Sequence, residues 1–562
     1  MDAIDQIKLF SDFSKTTPAA AISPEPRKGY WRVCAYTSGE IEGKLLYTDA
    51  QGETPTLTLP LNLRGWHRVT IGVWGHLFDY PGTHGNRVKL SGDRCFKSLQ
   101  RDGLPPADSI SIEDIQLTCA DLSGQDLLIA PPARGSNAAT ALAYVRCEAL
   151  SSSQVEELQA DRRNGDFRKT IAYNDGISFV GSRQCRDKED LWELVEWYRY
   201  SDMESLCWGM VGTVTAFPVK AGRMMTGYDA EAFEALNKKG INSLTTAMEY
   251  AQEMGLKFFV YQRMGRWADP FPGEYCTNDL CTEHPEWRCI NREGIRTPHL
   301  SYAFPEVRRH QIELLAEIAS WGVDGIDLNF LRGPVYVLYE QVLVEGFAKE
   351  YGEDPRELDE WDERWLRYRC RSLTAFVREL RTELDAVGKE RGKHIALLAT
   401  TFATELANRF YGLDLETWVR EGLVERLIPW GNIRGMPPID MAYYRGLVAG
   451  SRTELWPHLR GRGDVADMCR EALGLYESGA AGLAAWDNHN FDGKSVKGPF
   501  LRRLGHIDEL RARLADKARQ EPLIRRIDTL GTEDLRVACI PETHPERIMP
   551  EGYDKHHFMW HG

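Results

Sequence analysis

The rhythm of apolar and polar positions changes near residue 168 of the chain. From about residue 25 to 150, apolar and polar side chains roughly alternate in short runs: WRVCAYT, KLLYTDA, TLTLPLN and HRVTIGVWG. These runs are rich in β-branched and aromatic residues, and Gly39, Gly43, Gly52 and Gly65 separate them. A period of two marks a strand with one buried face. DSISIEDIQLTCADL, QDLLIAPP and ATALAYVRCEAL continue the pattern. Many short strands without long helical periods predict an antiparallel, jelly-roll-like β-sandwich. SSSQVEELQADRRNG, from Ser151, is polar and reads as a linker or crossover.

From Lys169 onward, compact apolar runs alternate with segments of helical period, the signature of βα units on a parallel sheet. Eight runs read as strands: TIAYNDG, SLCWGMVG, LKFFVYQRM, GVDGIDLNF, HIALLATTF, VERLIPWGN, SRTELWPHL and AGLAAWDNHN. Between them lie helical segments with recognisable ends, such as Gly255 and Gly479 at C-termini and Asp414 at an N-terminus. Residues 265–305 and 335–362 read as long insertions. No strand leads into a Gly-rich phosphate loop, which argues against a doubly wound nucleotide-binding sheet. The expected fold class is α/β: a (β/α)8 TIM barrel over residues 161–518, preceded by a β-sandwich over 1–160 and followed by an extension over 519–562.

Composition narrows the function classes. The chain has 562 residues, 43% hydrophobic and 27% charged, with a net charge of −14. An acidic chain of this kind is not expected to bind nucleic acid. No apolar run approaches the ~20 residues of a membrane span, so no membrane partner is expected. MDAIDQIKLFSDFSKTTPAA lacks an apolar leader core, so a cytoplasmic protein is expected. The 12 cysteines are scattered and read mostly as reduced core thiols. Cys276, Cys281, His284 and Cys289 cluster, but their spacing fits no common zinc motif. No cofactor and no metal are expected; the oligomeric state stays open.

Three segments carry a family resemblance. HPEWRCINREG, LSYAFPEVRRHQIELLAEIASWGVDGIDLNFLRGP and GLDLETWVREGLVERLIPWGN resemble, in order, motifs of the glycosyl-hydrolase-like barrels described as family-ten-like or amylase-related. The resemblance spans Tyr261 to Trp430 and implies a carbohydrate-active barrel with a sandwich appended. Two departures restrict it. The chitinase-type strand motif would place acids at Asn329 and Leu331, and the Asn-Glu pair of the largest retaining-glycosidase clan is missing. An amylase-like placement remains, with an aspartate on strand four and further acids on other strands.

Glycoside hydrolysis generally uses two carboxyl groups flanking the scissile bond, so the acids at strand ends are the candidates. Asp327, of inward parity on strand four, is the expected nucleophile or general base, and Asp324 the structural neighbour. Glu405 after strand five is the expected general acid, and Asp487 after strand eight the third catalytic acid. Asp175, Arg263, Asn329, Arg332, His458 and His489 are expected to position the substrate. Trp430, Trp456 and Trp486 are expected to stack on sugar faces. Trp31, Trp66 and Trp74 read mainly as buried sandwich residues. The expected activity is hydrolysis of an oligo- or polysaccharide. A non-catalytic carbohydrate-binding protein on a decayed barrel is the alternative, and a metal-dependent sugar isomerase or deacetylase ranks last because the histidines are dispersed.

Overall fold

The computed structural model describes the chain except residues 1–6, 26, 49–51, 76–84, 103–110, 135–138, 211, 227–229, 268–276, 332–333, 432–435, 462, 487–492 and 532–562. Its centre is a parallel sheet. Thr170–Asn174, Met203–Gly209, Lys257–Arg263, Gly325–Asn329, Ala396–Phe402 and Arg426–Trp430 pair in chain order. Leu483–Ala485, the eighth predicted strand, pairs back onto Thr170–Asn174. The seventh forms as two short pieces. Glu454–Leu455 pairs with Arg426–Trp430, and His458–Leu459 pairs with Leu483–Ala485. The two outermost positions of the sheet are therefore adjacent pieces of one stretch. The break falls at Trp456-Pro457, where proline has no N–H to give the ladder. The Trp456 N–H still donates to Leu427, and the Pro457 carbonyl accepts from Ala484.

Both faces of this sheet are buried, which is why its strands read as apolar runs rather than alternations. On strand four, Ile326 and Leu328 join the large core shared with the helices. Ile171, Tyr173, Cys207, Phe259, Tyr261, Leu398, Ile428 and Trp456 form a separate inner cluster. The helices that cover the outer face are ended by the expected devices. Pro305–Ser320 opens with a proline in its first turn, where a missing N–H costs nothing. Glu363–Arg391 is capped by Asp362 and closed by Gly392 at φ 66°. Asp414 caps Leu415–Arg420 through the Thr417 N–H.

Among the described residues, the N-terminal part forms two antiparallel sheets, giving six strands of an eight-stranded sheet and all four of a second. Val69, Ile71, Leu117, Leu142 and Val145 of the larger meet Leu57, Leu59, Val88, Leu90 and Ile129 of the smaller in one core. Trp31 is buried in that core, Trp74 is buried on the other face of the larger sheet, and Trp66 is half-buried. Ser151 opens a helix, Ser152–Arg163, rather than a linker. A capping box between Ser151 and Gln154 starts it. Its polar faces are used: Arg162 donates to the Cys119 carbonyl, and Asp161 pairs with Arg503 and His506.

The end of the chain returns to the N-terminal sheet. Ile524–Arg526 pairs with one edge strand, Ser111–Asp121, and Thr529–Leu530 pairs with the opposite edge strand, Arg32–Ser38. Ile527 between them is buried with Cys34, Tyr36, Trp74 and Tyr144. One short segment thus covers both edges, which would otherwise expose unpaired backbone. No periodic signal in such short pieces announces this pairing. Among the described residues no helix is long and apolar enough to cross a membrane.

Candidate functional site

At the N-terminal end of the parallel sheet, charge seals the inner cluster. Arg426 pairs with Glu204 at 2.5 Å and Glu454 at 3.1 Å, and Lys257 pairs with Glu204 at 2.5 Å. The Arg426 guanidinium lies 4.1 Å from the Trp456 ring centroid, and the Trp456 indole N–H donates to Glu454. Trp456 is therefore a buried floor residue at the end away from the strand C-termini. The expectation that it stacks on a sugar is corrected by this placement. Strand seven breaks at this residue, so its strand-end analogy to Trp430 and Trp486 does not hold.

Asp327 sits in the middle of the inner face, fully buried. Its carboxylate accepts from the Tyr173 hydroxyl at 2.8 Å and from the Thr400 hydroxyl at 2.8 and 3.1 Å. Burial pushes the carboxyl up to about 6, and the two hydroxyls only partly oppose this. The same burial and the nearby Asp327 charge hold the Tyr173 hydroxyl well above the usual phenol range. Asp327 is thus deeper than the sequence position suggests, with both oxygens occupied by protein donors. Asp324 is structural as expected: it accepts from the Phe258 N–H at 2.8 Å and pairs with Lys393.

One layer higher, where the strands end, Asp175 and Trp486 are half-buried rather than buried. Asp175 follows strand one and keeps 15% of its side chain exposed. It accepts from Arg263 at 3.0 Å, from the Tyr261 hydroxyl at 3.1 Å and from the Ser178 hydroxyl at 3.0 Å. Two glycines make this meeting possible. A Cβ at Gly176 would lie 2.1 Å from the Trp208 indole, and one at Gly209 would lie 2.4 Å from the Tyr261 hydroxyl oxygen. Glycine at these positions lets the chain turn tightly after Asp175 and lets Tyr261 reach it.

Aromatic rings pack on the two tyrosines whose hydroxyls bond these carboxylates. Trp486 stacks on Tyr173 at 4.7 Å between centroids and lies 4.8 Å from both Tyr261 and Trp430. Trp430 stacks in turn on His458 at 4.1 Å. His458 is buried, which drives its imidazole down to about 3 and keeps it neutral. Neither of its ring nitrogens has a hydrogen-bond partner among the described residues, nor has the Trp430 indole N–H. Asn329 is fully buried; its carbonyl oxygen accepts from the Leu331 N–H, and its amide nitrogen has no partner among the described residues. Unmet polar atoms in a buried site are costly. The His458 nitrogens and the Trp430 indole N–H lie in one stacked pair, next to the half-buried Trp486.

The structure therefore brings Asp175, Arg263, Asp327, Trp430, His458 and Trp486 together, with Asn329 at the same strand ends. It does not bring Glu405 to Asp327. Glu405 opens the short helix Glu405–Phe410, is 44% exposed, and pairs with Arg409 at 2.6 Å. Asp487, His489 and Arg332 lie outside the described residues, as does Cys276. Cys281 and Cys289 are buried thiols. Among the described residues no group of three or more His, Cys, Asp or Glu is placed to hold a metal ion. Sequence reasoning passed over Tyr173, Tyr261 and Thr400. A parity count would have found the first two: Tyr173 lies two residues before Asp175, and Tyr261 two before Arg263, so each shares its neighbour's face.

Residues 210–433 match the family model described as glycosyl hydrolase-like 10. The matched segment contains strands three to six with Arg263, Asp327, Asn329, Thr400 and Trp430, and it encloses the span on which the sequence resemblance rests. No curated protein matches the chain. Similar solved structures include the catalytic domain of a β-amylase from Paenibacillus polymyxa, 11% identical over 61% of this chain and 99% of that one, with a TM-score of 0.42. A ruminal GH26 endo-β-1,4-mannanase is 10% identical over 87% and 92% of the two chains, with a TM-score of 0.30. An α-galactosidase from Thermus thermophilus is 12% identical over 86% and 95%, with a TM-score of 0.34. At these scores the likenesses assign no residue a role.

Proposed function

We propose that this chain hydrolyses glycosidic bonds at the C-terminal end of a (β/α)8 barrel. In this reading the split seventh strand closes the barrel, and the two N-terminal sheets form the sandwich beside it. The observation that carries the proposal is Asp175, an ion-paired and part-exposed carboxylate, bonded to the Tyr261 hydroxyl, whose ring lies 4.8 Å from the half-buried Trp486. Aromatic faces stack on the apolar C–H faces of a sugar, and a few convergent polar groups orient its hydroxyls. Active sites of this fold lie at the strand C-termini, which is where these residues stand, while the opposite end is sealed by Arg426 and Glu204.

The roles divide by depth. Asp175 is the carboxylate that touches the sugar, with Arg263 and Tyr261 fixing its orientation. Asp327 is a positioning residue: through its bond to the Tyr173 hydroxyl it sets the ring on which Trp486 stacks. Asp487, the other strand-end acid expected from the sequence, is the partner carboxyl in this mechanism. The family match over residues 210–433 supports the reading without extending to Asp175 or Asp487.

The test is Asp175→Asn in a glycan-hydrolysis assay. Acid–base groups contribute roughly 100-fold or more to rate, so kcat/KM should fall at least that far while the thermal midpoint stays close to the parent's. An unchanged kcat/KM refutes the assignment. A second reading, a glycan-binding protein without turnover, draws on a specific observation. Asn329 and Phe402 occupy the inner ends of strands four and five, where a further acid could have stood. Tight glycan binding by calorimetry with no release of reducing ends selects that reading.

A further inference from the structure

Among the described tryptophans only Trp361 is exposed, at 46%. It lies two residues before the helix Glu363–Arg391. That helix leads down to the start of strand five, so Trp361 stands on the same end of the barrel as the site. A large exposed indole is an uncommon surface feature. This one is tied to its neighbours. Its backbone N–H donates to Asp359 at 2.8 Å. Its ring is backed by Phe410, with centroids 4.6 Å apart and planes 32° from parallel. Phe410 is itself anchored, its carbonyl accepting from the buried Arg369 at 3.0 Å. One indole face is thus packed on protein and the other left to solvent.

The support behind Trp361 leads to the site. Phe410 meets Tyr411 edge-on at 5.2 Å, and Tyr411 stacks on Phe402 at 4.5 Å. Phe402 ends strand five in register with Trp430 of strand six, and Trp430 contacts Trp486. Charged groups flank the outer end of this aromatic line: Arg409, between Glu405 at 2.6 Å and Glu363 at 3.1 Å. Ring faces bordered by hydrogen-bonding groups suit a sugar, which is apolar across its C–H faces and polar at its rim.

We propose that Trp361, backed by Phe410, is a distal binding subsite for a glycan chain that leaves the strand-end site past the half-buried Tyr411. The ligand is then a chain of several sugars. This inference rests on the carbohydrate reading above. It also gives Glu405 and Arg409 a place: they border the path of the chain.

The experiment compares wild type, Trp361→Ala and Trp361→Phe for binding to matched disaccharides and hexasaccharides of glucose, mannose and N-acetylglucosamine by calorimetry. One stacked ring corresponds to about tenfold in affinity. The expected result is a loss of that size for the hexasaccharide in Trp361→Ala, an unchanged disaccharide affinity, and near-parental binding in Trp361→Phe. The exposed position keeps both variants folded, and a matching thermal midpoint checks this. Unchanged hexasaccharide binding in Trp361→Ala, or equal loss for both lengths, overturns the subsite while leaving the strand-end site standing. A monomer–dimer shift in sedimentation caused by Trp361→Ala makes the indole a contact between copies, and also overturns it. Wild type that binds no member of the panel refutes the carbohydrate reading itself, and the subsite with it.

Discussion

Asp327→Asn is expected to be more stable than the parent above about pH 6 and less active at every pH. The two effects have one cause. The Asp327 carboxyl is fully buried and titrates near 6 in the folded chain, against an ordinary 3.8. Its folded pKa is raised, so between those values the folded state holds more protons than the unfolded state. Stability from this group is therefore complete below about pH 4 and declines as pH rises towards 6. A difference of about two pH units corresponds to roughly 3 kcal/mol. Asparagine keeps the shape and can still bond the Tyr173 and Thr400 hydroxyls without an ionised form to bury. Urea titrations at about pH 4 and about pH 8 read this directly: the parent should lose stability between them, and the variant should lose less by about that amount. Activity should fall about 10- to 100-fold, since small displacements of a positioned ring cost that much. The fall should appear in kcat, and an inflection near pH 6 in the parent's rate profile should vanish. Equal pH dependence of stability in both proteins would refute the assigned burial of charge.

His458 should show the opposite dependence. Burial drives its folded pKa down to about 3 from an ordinary 6.5, so the folded state binds fewer protons than the unfolded state between those values. Its contribution is intact above about pH 6.5 and is lost as pH falls. At about pH 4 the cost is about 3 kcal/mol, and no neighbouring acid among its described contacts relieves it. His458→Phe keeps a ring stacked on Trp430 and has no proton to take up. Its acid unfolding midpoint should shift to lower pH, measured by tryptophan fluorescence against pH. At neutral pH it should fold like the parent but bind glycan more weakly, because the two ring nitrogens that have no described protein partner are gone. An acid midpoint that does not move would show that His458 is protonated in the fold.

How much of this was legible beforehand follows from which signals are local. The eight strands of the parallel sheet announced themselves as short apolar runs between helical periods, and the caps at Asp414 and Gly255 are local chemistry. Asp175, Asp327, Arg263, Trp430, His458 and Trp486 were legible as candidates because strand ends gather at one face of this architecture. Depth was not legible. Parity says that Asp327 faces inward, and only the register with Tyr261 and Leu398 puts it one layer below the rim. Trp456 failed for a related reason: the proline after it breaks its strand, so counting from the apparent strand end gave the wrong layer. Glu405 follows strand five in sequence, but its ion pair with Arg409 one helical turn away decides where its side chain goes. The return of residues 524–530 to both edges of the N-terminal sheet depends on partners some 400 to 500 residues away in sequence, which no window on the chain contains.

The most direct test of the central claim is the product profile of the wild-type protein on a panel of soluble glycans, with reducing ends counted over time and Asp175→Asn run in parallel. The account expects new reducing ends from at least one glycan with wild type, and at least 100-fold fewer with the variant. Release that Asp175→Asn matches, or no release from any glycan the wild type binds, would contradict it.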